Sequence, residues 1–546
     1  MIEFKHVTFS YEDGAPPVLR DVNLQVDEGQ FALVTGRTGV GKSTVLGLVN
    51  GHVPHFTGGH MAGHVLVAGL DTRDFAPRDL AETVGVVAQD PLAGFVTDTV
   101  EEELAYAMEQ LGVAPATMRT RVEDVLDLLS IEPLRRRALR SLSGGQQQRV
   151  AIASVLAAGA RVLVLDEPTS ALDPTSAEEV LAALLRLVHD AGVTLLIAEH
   201  RLERVVEYAD LIIDLPGDAQ VTAASPPEAL ARGALAPPVV RLGRLLGWQP
   251  LPLGIRDARR SAVDLRDQLA RFDLADFPTH QTVPAPDDKS GLSAQHLRVN
   301  YGAVVAVKDL AIDLPPGQVT ALMGRNGSGK SSLLWALSGV GPRSAGRWQV
   351  DGHELSNASP AVVRRYLRLV PQTAADLLYL PTVTAELARA DRSNNQTPGT
   401  CRAILDDLTA GVPGDANPRD LSEGQKLALV LATQLAGDPP VILLDEPTRG
   451  LDYVAKAALG HALGRLAAKG RTVCVATHDV EFVADVADQV AVLAGGELIS
   501  FGPTSDVLAS SVTFAPQVAK ITMPHSWLTV TQVAAALAVR TLGPTR

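Results

Sequence analysis

Two consecutive α/β units, each a largely parallel sheet flanked by helices, are the fold the sequence predicts. Three observations carry that reading: a glycine-rich loop that occurs twice, an aliphatic run ending in Asp-Glu that occurs twice, and a register that relates them along the chain. The loops are Gly36-Arg37-Thr38-Gly39-Val40-Gly41-Lys42-Ser43 and, 288 residues on, Gly324-Arg325-Asn326-Gly327-Ser328-Gly329-Lys330-Ser331. Each follows an apolar run, 31–35 or 319–323, and precedes a helical pattern that opens with Thr44 or Ser332. Strand, loop and helix in that order are the context of a phosphate-binding P-loop. The glycines let backbone N–H groups curl around phosphates, and the helix start adds its positive end. Lys42 or Lys330 can then reach the outer phosphates, while Ser43 or Ser331 can hold Mg²⁺. The chain is therefore a tandem nucleotide-binding protein.

The second pair of elements is Val162-Leu163-Val164-Leu165-Asp166-Glu167 and Val441-Ile442-Leu443-Leu444-Asp445-Glu446. Four consecutive aliphatics suit a strand buried on both faces of a parallel sheet. Asp166 and Asp445 then fall at the strand end, placed to hold Mg²⁺ through water, and Glu167 and Glu446 can orient an attacking water. With the lysines aligned, 86–89 matches 369–372, Leu142-Ser143-Gly144-Gly145-Gln146 matches Leu421-Ser422-Glu423-Gly424-Gln425, and Ala198-Glu199-His200 matches Ala476-Thr477-His478. The offset drifts only from 288 to 278 residues, so the two units share one architecture.

The units are expected at 1–235 and 291–510. Each is followed by a small helical appendage, the first within 236–290 and the second at 511–546, because 236–242 resembles 515–521 and Trp248 resembles Trp527 in placement. Pro250, Pro252, Pro278, Pro284 and Pro286, then Asp287-Asp288-Lys289-Ser290, read as a linker between the halves.

Bulk properties narrow the function. With 46% hydrophobic and 20% charged residues the chain is globular, and its 546 residues exceed one core. A net charge of −14 leaves no basic footprint for nucleic acid. Cys401 and Cys474 make no metal or disulfide framework and suit a reducing cytoplasm. The most apolar stretch, 150–165, is interrupted by Gly159 and Arg161 and runs into Asp166, so no span is expected. The start, Met1-Ile2-Glu3-Phe4-Lys5, has no secretory pattern. A membrane role would have to come through a partner. His52, His55, His60 and His64 are spaced for ligation, yet no Cys or acid accompanies them, and they read as an ordinary loop.

The Leu142–Gln146 segment resembles the signature of the ABC ATPase family, and the resemblance covers nearly the whole chain. It implies two P-loop NTPase domains, each with a helical signature subdomain, that sandwich ATP head to tail, so the P-loop of one faces the signature of the other. On that resemblance Ser143, Gly144, Gly145 and Gln146, and Ser422, Gly424 and Gln425, offer donors to the γ-phosphate. Gln89 and Gln372 sense Mg²⁺ and the transport partner, His200 and His478 contact the γ-phosphate, and Tyr11 and Tyr301 stack on adenine. The second signature departs from the pattern at Glu423. A carboxylate about 4 Å from a phosphate charge costs roughly 1 kcal/mol in water and about 4 at an effective dielectric of 20. The gain at a helix start is only about 0.3–1 kcal/mol. Glu423 must therefore turn away, or the site it faces is weakened.

The segment 89–104 (Gln89-Asp90-Pro91, with Phe95-Val96-Thr97-Asp98-Thr99) and the run 199–203 resemble energy-coupling-factor (ECF) transporter ATPases. The second half lacks the Asp-Pro and Phe-Val-Thr features, so this rests on the first. The resemblance implies an ATPase on the cytoplasmic face of the membrane, working with a transmembrane coupling protein and a small membrane-embedded binding protein for a vitamin, a vitamin precursor or a metal ion. It also makes 101–103 the border of the groove for the coupling protein, where the charge run alone would read as a solvated helix face. A sugar-importer ATPase of similar length is the transport alternative. A soluble double-cassette factor for ribosomes or DNA is the other, disfavoured by the Pro-interrupted linker, the paucity of cysteine and the acidic balance.

Overall fold

The computed structural model describes residues 1–277 and 290–541, so most of the proposed Pro-rich linker (278–289) lies outside the described residues. The chain divides into two compact units, Met1–Gly254 and Ile255–Arg546.

In the first unit, a six-stranded sheet runs in the order Thr222–Ala224, Leu211–Leu215, Phe31–Gly36, Thr194–Ala198, Val162–Asp166, Val84–Val87. Its pairings are parallel except at the short edge strand Thr222–Ala224. The central strand Phe31–Gly36 is buried at every residue, which explains why its sequence is apolar without alternation. A second, antiparallel sheet (Leu19–Val26, Ile2–Ser10, His60–Val67, Leu70–Asp71) shares a hydrophobic core with it, and the P-loop helix Lys42–Val49 fills the space between. The strand Leu19–Val26 alternates buried and exposed residues, as a one-sided sheet should.

The second unit repeats the design. Its large sheet has the order Leu367–Val370, Val441–Asp445, Thr472–Ala476, Val319–Met323, Gln489–Ala494, Glu497–Pro503, which is the same topology. Each unit carries a helical subdomain inserted before its Asp-Glu strand: Val100–Gln110, Pro115–Leu128 and Gly144–Ala157 in the first, Val383–Ser393, Thr400–Leu408 and Glu423–Leu435 in the second. Two tandem α/β cassettes with helical signature subdomains are thus the observed fold.

The segment after Gly254 packs on the second unit. Helices Ile255–Ser261 and Val263–Leu269 lie against the C-terminal helices Gln517–Thr522 and Val530–Thr541. Leu265 and Leu269 are buried there, Arg266 Nη1 donates to the Ile521 carbonyl at 3.3 Å, and Gln532 Nε2 donates to the Phe277 carbonyl at 3.1 Å. The Phe277 ring lies 5.5 Å from that of Trp527, which is buried, whereas Trp248 at the end of the first unit is only half-buried.

Burying Leu265 and Leu269 is worth roughly 1.5–3 kcal/mol each. A fragment starting at residue 290 should therefore be less stable to urea than one starting at 255 by at least about 3 kcal/mol. Phe277→Ala in the full chain should shift Trp527 emission to the red.

Candidate functional site

The P-loop glycines are required by geometry. Gly41 has φ +111°, and a Cβ there would sit 2.8 Å from Val18 Cγ1; at Gly329, with φ +104°, it would sit 2.3 Å from the Ala306 carbonyl oxygen. Gly39 and Gly327 instead face open space on the cradle side. Lys42 Nζ donates to the carbonyls of Gly36 and Arg37, both at 3.0 Å, and Lys330 Nζ to those of Gly324 (2.8 Å) and Arg325 (3.3 Å). Both ammonium groups are thus held inside the curl of their loops, which also contain Thr38 and Asn326.

Each strand end delivers its acid to the loop's hydroxyl. Ser43 Oγ donates to Asp166 at 2.9 Å and Ser331 Oγ to Asp445 at 3.0 Å. Burial raises the Asp166 carboxyl, with the Ser43 bond and Lys42 opposing and the neighbouring Glu167 adding to the rise. Asp445 is pushed up to about 6, again first by burial and then by Glu446, against the Ser331 bond and Lys330. Buried carboxylates whose charge is poorly compensated, each beside a hydroxyl oxygen, are a donor set that fits a hard divalent cation.

The next residue in each unit is held in an unusual backbone state. Glu167 has φ +49° and Glu446 φ +48°, the left-handed region that non-glycine residues rarely adopt. Each N–H is captured by the neighbouring strand's last carbonyl, Glu167 by Ala198 at 2.9 Å and Glu446 by Ala476 at 2.8 Å. The bend aims both carboxylates at the histidines: Glu167 Oε1 is 2.7 Å from His200 Nε2, and Glu446 Oε2 is 2.8 Å from His478 Nδ1. Local strain that recurs at both copies marks a functional position. Gln89 Nε2 donates to Glu167 Oε2 at 3.2 Å and to Ser170 Oγ at 3.3 Å, whereas Gln372 is exposed. Tyr11 is bonded through its hydroxyl to Thr44 Oγ1 at 2.9 Å with much of its ring exposed; Tyr301 is exposed at the matching strand end, and Ser332 follows Ser331 in its helix.

These groups gather at the carboxyl edge of each large sheet, the usual ligand edge of such sheets. The signature residues stand apart on the helical subdomains. Ser143 and Ser422 cap the helices Gly144–Ala157 and Glu423–Leu435, and each closes a capping box with Gln146 or Gln425 three residues on. Gly145 lies so near Ser176 that a Cβ would sit 2.9 Å from its Cβ; at Gly144 the nearest atom would be Leu172 Cδ2 at 3.2 Å, and at Gly424 the Ala455 Cβ at 3.3 Å. Glu423 is more than half exposed and pairs with Lys426 at 2.9 Å. Lys426 stands where the first half has Gln147, so the extra acid came with its own counter-charge. Arg149, replaced by Ala428, braces the carbonyls of Leu129 and Ser130, both at 3.4 Å.

The acidic run 101–103 separates into three jobs. Glu101 pairs with Arg135, Glu102 closes a capping box with Thr99, and Glu103 is buried. Its carboxylate accepts from Val96 N (3.1 Å), Thr97 N (2.9 Å) and Thr97 Oγ1 (2.8 Å), which folds the loop after Gln89. Glu386 does the same in the second unit for Tyr379 N and Leu380 N, with Arg389 beside it at 2.9 Å. Sequence reasoning missed both, although each glutamate follows a Thr-Val helix start by the same interval (Thr99, Thr382). Between this helix and the sheet of the first unit lies a groove of about 880 Å³, lined by Val86, Gln89, Tyr106, Ala107, Leu111 and Val155 among others. Ser43 and Asp166 also border it.

The four clustered histidines do not converge. His52 stacks on Phe56, His55 bonds the Thr72 carbonyl, and His64 pairs with Asp71 at 2.6 Å; His60 lies on a strand opposite Ser10. Among the described residues no group of three or more His, Cys, Asp or Glu side chains is arranged to hold a metal.

Fold and site together define a P-loop ATPase with two nucleotide-binding units. The ABC transporter family model matches residues 19–170 and 307–449. A provisionally named ABC transporter ATP-binding protein of Streptomyces avermitilis is 52% identical over 98% of this chain and 100% of its own length. A Bacillus subtilis protein provisionally named an HMP/thiamine import ATP-binding protein is 30% identical over 97% of this chain and 96% of its own. Among solved structures, the RNase-L inhibitor superposes with a TM-score of 0.58 over 92% of both chains at 22% identity, a likeness of fold. The chain belongs to the ABC transporter family and is an ATP-binding, ATP-hydrolysing subunit of it.

Glu103→Ala would remove the buried acceptor of two backbone N–H groups and a hydroxyl in a part-buried loop, a loss of roughly 1–3 kcal/mol. Glu103→Gln, which keeps an acceptor, should lose less than half of that in urea denaturation.

Proposed function

We propose that this chain powers an ECF-type importer, coupling ATP hydrolysis to the uptake of a small nutrient. The observation that carries the reading is the first unit's largely apolar groove beside Gln89, bordered by the loop that Glu103 folds and reaching Ser43 and Asp166. A helix of a transmembrane coupling protein seated there would lie beside the nucleotide site at Gln89, Ser43 and Asp166. The sequence of 89–104, which resembles ECF ATPases, and the full-length likeness to a relative named for HMP/thiamine import support the same reading. No helix among the described residues is long and apolar enough to cross a membrane, which agrees with a peripheral subunit held at the cytoplasmic face by its partners. The cargo would be chosen by a small membrane-embedded binding protein.

In this reading Lys42 and Lys330 and the loop N–H groups hold the phosphates. Ser43 with Asp166, and Ser331 with Asp445, hold Mg²⁺, which when bound neutralises phosphate charge. Glu167 and Glu446 orient the attacking water, and His200 and His478 fix those carboxylates in place. Tyr11 and Tyr301 offer ring faces to the adenine. The signature residues of each cassette complete the site of the other, the arrangement the family resemblance implies. ATP binding draws the cassettes together and product release parts them.

Purification from native membranes in mild detergent should bring down a coupling protein and a small integral membrane protein, identified by mass spectrometry. Ala107→Trp should fill the groove and abolish that recovery, with ATP affinity changed less than about twofold. Full recovery of the coupling protein with Ala107→Trp, or ribosomal proteins in place of membrane partners, would sink the reading.

A further inference from the structure

Thr169, two residues after Glu167, is fully buried, and each of its polar groups is held by a side chain from the segment after Ala198. Its N–H and its hydroxyl donate to the same oxygen of Glu199, at 2.8 and 2.7 Å. Its carbonyl accepts from Arg204 Nη1 at 2.9 Å, and the same guanidinium reaches the Leu172 carbonyl at 3.4 Å. Glu199 is itself 2% exposed and is the immediate neighbour of His200, the partner of Glu167. Among the described residues the second unit has no such charged brace. Thr477 stands in place of Glu199 and meets Thr448 by one hydroxyl contact at 3.0 Å, while buried Phe482 replaces Arg204. A buried ion pair, Lys456–Asp479 at 2.6 Å, lies further on.

We infer that Glu199 is a positioning residue of the first nucleotide site: by gripping both polar donors of Thr169 it locks the chain after Glu167 to the chain carrying His200, and so fixes the Glu167–His200 geometry. The two bonds on one oxygen make the joint stiff where the second unit's hydroxyl pair can swivel. Bonds between a carboxylate and a buried N–H are also the stronger kind. This rests on the reading of Glu167 as the group that orients the attacking water and of His200 as the group that fixes its carboxylate.

The test uses the full chain carrying Glu446→Gln, so that turnover reports the first site. Adding Glu199→Ala should lower kcat about tenfold with KM for ATP within about twofold, because phosphate binding by Lys42 is untouched. Glu199→Gln keeps the accepting oxygen and should restore kcat to within about threefold of the parent. Thr169→Val, which removes only the hydroxyl bond and preserves shape, should fall between, and it serves if Glu199→Ala does not fold. Equal losses in Glu199→Ala and Glu199→Gln, a loss carried by KM rather than kcat, or an unchanged kcat in Thr169→Val would each overturn the assignment. Glu167→Gln in the same background separates the two levels. If it is inactive while Glu199→Ala is fully active, the positioning role alone fails; if it turns over at the parental rate, the catalytic reading falls and takes the positioning role with it.

Discussion

Everything at the two nucleotide sites depends on the register of one pair of parallel strands. Asp166 lies opposite Ala198 and Asp445 opposite Ala476, so that the strands end flush. Only with flush ends can the Ala198 carbonyl take the Glu167 N–H and turn the chain into the left-handed bend, and only then does a histidine two residues beyond the alanine meet the glutamate. A slip of one residue would put every aliphatic of Val162–Asp166 on the opposite face of the sheet. The buried, uninterrupted apolar strands are therefore what sets the Glu–His geometry at each strand end, and the strain at Glu167 and Glu446 is sustained by their packing.

The parts that were legible in sequence are those whose chemistry needs a fixed spacing. P-loops, strand-end acids and signature caps must keep their intervals to work, and the duplication displays each interval twice. What escaped was set by tertiary context. Three consecutive glutamates look alike in sequence, and only burial distinguishes Glu103 from Glu101 and Glu102. Taken alone, Glu423 would repel a phosphate, but it pairs with a lysine three residues away, a spacing helices use for pairing. The stretch after Gly254 is polar and proline-flanked, so composition favours a linker; its few apolar positions, Ala258, Ala262, Leu265 and Leu269, become a face only when a partner surface is known.

The halves have diverged by exchanging one means of bracing for another. Behind the first site lie Glu199 and Arg204; behind the second, paired threonine hydroxyls, Phe482 and a buried Lys456–Asp479 bridge. At the signatures the first helix is braced by Arg149, and the second buries Ala428 and carries the Glu423–Lys426 pair. Such swaps keep the backbone while altering how firmly each segment is held, and each carries a desolvation cost: burial raises the proton affinity of the Glu199 carboxyl in the first unit, and the second buries the Lys456–Asp479 pair.

Synthesis on the ribosome gives the placement of residues 255–277 another meaning. The first unit is complete once Gly254 has emerged, yet the helices that follow must await partners at 517–541. At about 5–20 residues per second that interval lasts on the order of tens of seconds. Throughout it Arg256, Asp257, Arg259 and Arg260 keep the nascent segment charged and soluble, while Leu265 and Leu269 are the small apolar load it carries unburied. The helix Val530–Thr541 thus closes a core opened halfway along the chain, and a nascent chain that stops short of it leaves that core open.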